Sequence, residues 1–321
     1  MLQQTQVKTV IPYWVRWMRA LPDLRALAGA RLSTVHKLWE GLGYYTRARN
    51  LHKAAKMIVR ERGGRFPERF EEVLALPGVG RYTAGAVCSI AFNQPTPIVD
   101  GNVTRVLTRL FGISGSPRER PVNRELWALA QELVSAASRT RKPGACSALN
   151  QALMELGSVV CTPRAPRCAG CPVARQCAAL REGRVQEIPA RTVRRAAESR
   201  RVAAFILERN GRLLVRQRPD GVVNAQLWEF PSAEQTPGTD LAAAAREALG
   251  FVPRKLSPFC TLKHTITHHR ITLEVFLAAG GLKGRKPRAG RWVALPALRK
   301  LSFPSAHREI ATRLQRTTTR R

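Results

Sequence analysis

Four cysteines, Cys161, Cys168, Cys171 and Cys177, enclose gaps of six, two and five residues near the middle of the chain. Thiolates this closely spaced in a loop do not readily bridge one another, but they can converge on one metal centre. From spacing alone, a closed zinc site and an iron-sulfur cluster are equally good readings. The other three cysteines, Cys88, Cys146 and Cys260, are scattered through apolar surroundings, as small buried thiols would be. Seven cysteines in 321 residues are too few for a disulfide scaffold, so a reducing compartment is expected.

A second cluster of chemistry lies upstream. Leu76 to Ala86 reads LPGVGRYTAGA, a short apolar entry, two glycines flanking one residue, then a helix start. Gly78 and Gly80 permit a tight turn, and the backbone N–H groups opening the next helix, Thr83 among its first residues, point at any anion there. A helix-hairpin-helix holds a DNA phosphate in this way. Downstream, PIVDGNV from Pro97 to Val103 places Asp100 beside a glycine and before another helix. Such folds keep a catalytic aspartate at that distance from the turn. A plain helix N-cap is the alternative, and both can hold at once.

The elements that must position these groups divide in two. Up to about Leu180, apolar residues recur at three and four through Val35–Leu38, Ala48–Val59, Ala84–Ala91, Val103–Leu110, Glu125–Val134 and Ala148–Val160, which predicts an all-α domain. Arg181 to Arg201 is arginine-rich with little apolar periodicity and predicts an exposed linker over 181–200. Beyond it, short runs at Val202–Leu207, Leu213–Gln217, Pro258–Lys263, Ile271–Phe276 and Arg291–Val293, with an Asn210-Gly211 turn, predict strands. Helical patterns at Leu241–Leu249 and Ala306–Leu314 make the domain over 201–315 an α/β one. The Thr/Arg tail, 316–321, is expected to be disordered.

Composition narrows the partner. Lys and Arg number 54 against 22 Asp and Glu, for a formal net charge of +32. A fold with that self-repulsion points to a polyanion, nucleic acid first, with drift towards arginine as the alternative. Met1 to Lys8 is polar and no apolar run reaches membrane-spanning length, so a soluble cytoplasmic protein without membrane contact is expected.

Taken together, the glycine turn, the aspartate and the four-cysteine loop (161–177) resemble the DNA glycosylases related to endonuclease III, and in particular the MutY family. MLQQTQVKTVIPYW (Met1–Trp14), GLGYYTRARNLHKAA (Gly41–Ala55), LPGVGRYTAGA, DGNVTRVLTRL (Asp100–Leu110) and NQALMELGSVVC (Asn150–Cys161) match that family in order. The resemblance covers nearly the whole chain. It implies a multidomain enzyme, an all-α helix-hairpin-helix glycosylase domain over 1–180 followed by a Nudix-like domain over 201–315.

The same resemblance implies that Cys161, Cys168, Cys171 and Cys177 bind a [4Fe-4S] cluster that pins a loop against DNA. It makes Asp100 the carboxylate facing the sugar, with Tyr82 and Asn102 orienting the catalytic groups, and Glu155 a contact to a flipped adenine. Tyr82 stands where lyase-competent relatives carry lysine, and a phenol cannot form a Schiff base, so base release without strand cutting is expected. Gln4 and Tyr44 match the pair that wedges into the duplex. In HTITHHRITLEVF (His264–Phe276), Ile266, Thr267 and His268 stand where the family often has Phe, Ser and His in its lesion-reading loop. Thr267 keeps a hydroxyl for an altered guanine edge. Three histidines in six residues also suggest a metal site, against which strand alternation is expected to send neighbours to opposite faces.

The implied activity is release of adenine mispaired with 8-oxoguanine or guanine in duplex DNA, by a monomer. Stretch Asp240–Gly250 keeps only Arg246, Glu247 and Gly250 of a Nudix metal helix, so pyrophosphate hydrolysis is not expected. In the family the general acid is a glutamate just upstream of the MLQQT run, and this chain starts at that methionine. A start assigned at an internal methionine or a truncated remnant would each explain this. The rival readings are a non-catalytic lesion-binding protein and a pyrimidine-specific glycosylase/lyase of the endonuclease III kind.

Overall fold

The computed structural model describes residues 1–190, 196–236, 240–266, 268–281 and 287–319. They fall into two compact units, one formed by Met1–Val59 with Arg195–Arg321 and the other by Arg60–Arg194. Among the described residues no helix is long and apolar enough to cross a membrane.

The first unit opens with helices α1 (Val7–Ala20), α2 (Leu24–Gly29), α3 (Leu32–Trp39) and the start of α4 (Thr46–Arg62). Val10, Trp17, Leu27, Val35 and Trp39 form their buried core, with Trp17 edge-on to Trp39, and Leu227 from the C-terminal half completes it. Chain order therefore does not decide compactness here. The buried Glu40 carboxylate explains why: it accepts from the Phe303 N–H at 3.1 Å, pairs with Lys37 at 2.6 Å and is held by Arg308. Arg49 adds a bond to the Ala225 carbonyl at 2.9 Å. A buried carboxylate with three charge-assisted partners is tolerated because its lone pairs are filled.

The C-terminal part of that unit is a mixed sheet sandwiched by helices. Strands β1 (Glu198–Arg209), β2 (Arg212–Gln217), β3 (Trp228–Glu229), β4 (Ser232–Gln235), β5 (Lys255–Ile266), β6 (His269–Ala279) and β7 (Arg291–Ala294) run in the order β3-β2-β1-β6-β5, with β4 on β1 and β7 on β2. β1 and β6 are parallel, Val202 opposite Leu273 and Phe205 opposite Phe276. In β1 both faces are covered, so Ala203 to Leu207 are buried without alternation. Helix α11 (Leu241–Leu249), capped by Asp240, packs its alanines on one face; α12 (Ser305–Thr319) packs Ile310 and Ala311 on the other.

Helix α12 runs to Thr319, past the point where the sequence predicts disorder: Thr317 Oγ1 bonds the Arg313 carbonyl at 2.9 Å and Gln315 reaches the Arg299 guanidinium at 3.0 Å. Arg320 and Arg321 lie outside the described residues.

Under the sheet, Glu229 is buried against Arg216 (2.7 Å) and Arg218, and His307 stands 3.9 Å away, accepting the Phe230 N–H at Nδ1 (3.2 Å). Burial pushes the His307 imidazole down to about 4; Glu229 opposes this, while Arg218, His264 and Arg216 add to it. Between pH 6.5 and 4 the unfolded chain therefore binds a proton that the folded chain refuses. Stability is complete above about 6.5 and is expected to fall by up to about 3 kcal/mol as pH drops to 4. Urea midpoints measured across that window should show the slope, and His307→Gln should flatten it.

The second unit is helical: the end of α4, then α5 (Phe70–Leu74), α6 (Arg81–Phe92), α7 (Gly101–Phe111), α8 (Arg120–Arg139), α9 (Ala145–Glu155) and α10 (Ala178–Arg181). Ile98, Val103, Val106, Leu107, Leu126 and Leu153 make its main core. Where the sequence predicts helix through Val160, α9 ends at Glu155 and one π turn, Leu156–Val160, follows. The predicted linker is shorter than its composition suggests. Arg181 ends α10, Ile188 is buried, and β1 already begins at Glu198, because an apolar side chain in this arginine run still finds the core. Residues 191–195 lie outside the described residues.

Candidate active site and metal centre

In the helical unit the glycine turn is an open surface feature. Gly78 has φ +78°, a left-handed conformation open to glycine, and Gly80 caps α6 from an extended conformation with nothing within 4 Å of where a Cβ would lie. The N–H groups of Arg81, Tyr82 and Thr83 begin the helix, with Arg81 stacked on Trp127 at 3.9 Å. These donors and that cation suit a phosphate.

Asp100 is the N-cap of α7, its Oδ1 accepting the Val103 N–H at 2.7 Å. Tyr82, two residues beyond Gly80, has its phenol pushed up by burial and then by the Asp100 charge. Pro97, three residues before Asp100, crosses the turn's helix. The approach depends on Gly85: a Cβ there would lie 2.1 Å from the Pro97 carbonyl oxygen. Asn150 locks the same crossing by donating to Ser89 Oγ (2.8 Å) and the Thr96 carbonyl (3.0 Å).

Asn102 lies on the first turn of α7 against Gly157, where a Cβ would come within 2.7 Å of its own Cβ. Arg105 ties this contact together, donating to Asn102 Oδ1 (2.9 Å), to the Gly157 carbonyl and to the Cys161 carbonyl (2.6 Å). Glu155 is exposed beside Met154, whose sulfur accepts from the Tyr82 hydroxyl at 3.4 Å. Tyr82 thus meets α9 through Met154, and Asn102 meets the π turn through Gly157, with Asp100 at the start of α7 and Glu155 exposed at the end of α9; single-turn π segments often mark functional sites.

The four cysteines line one pocket with Arg109, Pro166 and Leu180. Burial, then Cys161, Cys177 and Cys171, push the Cys168 thiol up, and Arg109 opposes them. Four thiols on one lining are a donor set for a metal centre, as a closed zinc site or an iron-sulfur cluster would use. Arg109 is buried at the end of α7, donating to the carbonyls of Ile188 (2.9 Å) and Thr162 (2.8 Å) and to Cys161 Sγ (3.4 Å), while Cys177 Sγ reaches its carbonyl. One helix therefore carries Asp100 at its start and the cysteine loop at its end.

In the other unit, Gln4 and Tyr44 are exposed and both have positive φ, +58° and +48°, a conformation that costs a non-glycine residue energy and clusters at functional sites. Arg47 binds their loops together. It donates to the carbonyls of Met1 (2.8 Å), Gln3, Leu42 and Gly43 (3.3 Å each for the last two) and lies 5.6 Å from the Tyr44 ring. Arg47→Met is expected to free residues 1–5 from this anchor, speeding local hydrogen exchange by about tenfold, one to two lost charge-assisted bonds. Unchanged protection of an N-terminal peptide in exchange mass spectrometry would count against it.

Ile266, half-buried, and His268 stand at the tip of the β5–β6 hairpin, in the first unit; Thr267 lies outside the described residues. Alternation was expected to part the histidines, and it does not. His268 belongs to the turn rather than to a strand, so its ring lies 3.9 Å from that of His269.

Arg47, Arg105, Arg109, Gly85 and Gly157 are the positioning residues that spacing and composition left unmarked. The glycine pair carried a faint signal, in the TAGA and ELGS runs.

The family model of HhH-GPD superfamily base excision DNA repair proteins matches residues 1–132, and that of the NUDIX domain matches residues 202–313. The adenine DNA glycosylase of Mus musculus is 38% identical over 329 residues, 87% of this chain and 62% of its own length. That of Homo sapiens is 38% identical over 339 residues, 89% of this chain and 60% of its own. The chain thus spans about three-fifths of those two relatives. The Rattus norvegicus protein is 36% identical over 365 residues, 97% of this chain and 69% of its own. With both domain models in order and this identity running nearly end to end, the chain belongs to the MutY-type adenine DNA glycosylase family.

Proposed function

We propose that this protein is a monofunctional adenine DNA glycosylase of base excision repair, releasing adenine mispaired with 8-oxoguanine or guanine in duplex DNA. The observation that carries this reading is the Asp100 carboxylate at the start of α7, in the segment whose Pro97 carbonyl packs on Gly85 of the helix that the open glycine turn begins.

In this reading the α6 N–H groups and Arg81 hold a phosphate, and Gln4 and Tyr44 fill the gap left when adenine leaves the stack, offsetting part of a cost of a few kcal/mol. Asp100 faces the deoxyribose and stabilises the positive charge that grows on its anomeric carbon. Tyr82 and Asn102 hold that carboxylate in place, and Glu155 contacts the extruded base. The Ile266–His268 tip reads the base opposite.

The four thiols of Cys161, Cys168, Cys171 and Cys177, on one lining in a chain of this family, suit a [4Fe-4S] cluster. Once bound, it would cross-link the loop and stiffen the end of α7, without entering the bond-breaking step. Lys and Arg in such excess make duplex DNA the natural partner.

The test incubates the purified protein with an 8-oxoguanine·adenine duplex. Free adenine should appear, and the strand should break only after alkali. Breakage without alkali would favour a glycosylase/lyase, and tight binding with no adenine release a lesion-binding protein.

A further inference from the structure

We propose that Glu198, His268 and His269 form a divalent-metal site of the zinc class at the tip of the β5–β6 hairpin. Their donor atoms all lie within 4.8 Å of one another, the one such three-residue group among the described residues.

The backbone builds it. Glu198 opens β1 opposite His269 in the parallel ladder, and its N–H donates to the His268 carbonyl at 3.0 Å. Ile266 pairs with His269, which leaves His268 in the connecting turn and lets both imidazoles face the same carboxylate. His269 Nδ1 is shut off from solvent, makes no hydrogen bond, and stands 3.3 Å from Glu198 Oε2.

That separation is odd for a hydrogen bond missing its geometry, yet it is what two ligands of one ion show. Zn–N and Zn–O bonds of about 2.0–2.2 Å at a tetrahedral angle put ligand atoms about 3.3–3.5 Å apart. Two imidazoles and one carboxylate are a borderline donor set that favours zinc and its first-row neighbours over magnesium or calcium. Three protein ligands leave a fourth position open to solvent.

Arg200 is the competing cation, 3.6 Å from Glu198, but it has a second partner in Glu234 at 3.4 Å and can release the first. A bound ion would staple the hairpin tip to the start of β1. The site stands on its own geometry and does not depend on the glycosylase reading.

The experiment uses tag-free full-length protein with its cysteine centre intact, treated with a mild chelator, then titrated with Zn2+ by calorimetry and with Co2+ by visible spectroscopy. One saturable equivalent of Zn2+ is expected, with a cobalt spectrum of nitrogen and oxygen ligation. Loss of an outer-shell partner alone costs a metal site about 10–100-fold, so Glu198→Gln, His268→Asn and His269→Asn should each weaken binding at least about tenfold. Circular dichroism identifies any variant that fails to fold, and the remaining ones then carry the test. No saturable Zn2+ binding, a thiolate-to-cobalt band, or unchanged affinity in the folded variants would overturn the site.

Discussion

Replacing Asp100 by Asn is expected to slow adenine release from an 8-oxoguanine·adenine duplex by about a thousandfold, while leaving the fold and the DNA affinity nearly unchanged. Removing one preorganised stabilising group at a developing charge typically costs 10²–10³ in rate, and a full anion beside a sugar cation belongs at the upper end. The asparagine side chain keeps the structural task of this position. Its amide oxygen can accept the Val103 N–H as Oδ1 does now at 2.7 Å, and Asn and Asp are equivalent N-caps. Unfolding free energy should therefore move by no more than about 0.5 kcal/mol. Asp100→Ala is the informative contrast, since it should lose the rate and also about 1 kcal/mol of helix cap. Single-turnover chemistry, duplex binding and a denaturation curve on the same preparations separate the effects. A rate within tenfold of the parent for Asp100→Asn would remove this carboxylate from the chemistry.

The features that made Asp100 visible in the sequence are local ones. A glycine, an apolar run and a helix period are written within a few residues, so the helices of the Arg60–Arg194 unit and the strands after Val202 could be read from spacing. The two-residue strand β3 and the short β4 carry too little period to be seen.

What positions the site is long-range, and there spacing is silent. Gly85 matters because Pro97 crosses it, and Gly157 because Asn102 does. Arg47, Arg105 and Arg109 are three among 54 basic residues, and nothing in composition separates a buried clamp from a solvated charge. The joining of residues 1–59 to the C-terminal sheet rests on Glu40, an acid near the end of α3 that reads as a surface residue until Phe303 and Arg308 close over it. The histidine pair fails in the opposite way. His268 lies in a turn, where strand alternation does not hold.

Arg109→Met is expected to destabilise the helical unit by about 3–5 kcal/mol and to release the cysteine loop from the end of α7. Methionine can fill much of the space of the arginine stem but donates nothing. The carbonyls of Ile188 and Thr162, now at 2.9 and 2.8 Å from the guanidinium, would lose their charge-assisted donor. Each buried acceptor left without one costs about 1–3 kcal/mol. Lysine offers a weaker rescue, because a single ammonium cannot reproduce a planar fork that reaches two carbonyls and a sulfur. The loss should propagate in a definite order. The thiols of Cys161 and Cys177 touch Arg109 directly, so, with the proposed iron-sulfur cluster bound, its visible absorbance should bleach earlier on heating or oxidation than in the parent. Asp100, nine residues away at the other end of the same helix, is held by its own cap, and its neighbour Asn102 by Arg105, so the chemical step should slow far less than DNA binding weakens. A variant that binds iron, DNA and denaturant as the parent does would show that the helix end and the loop are held by something other than this guanidinium.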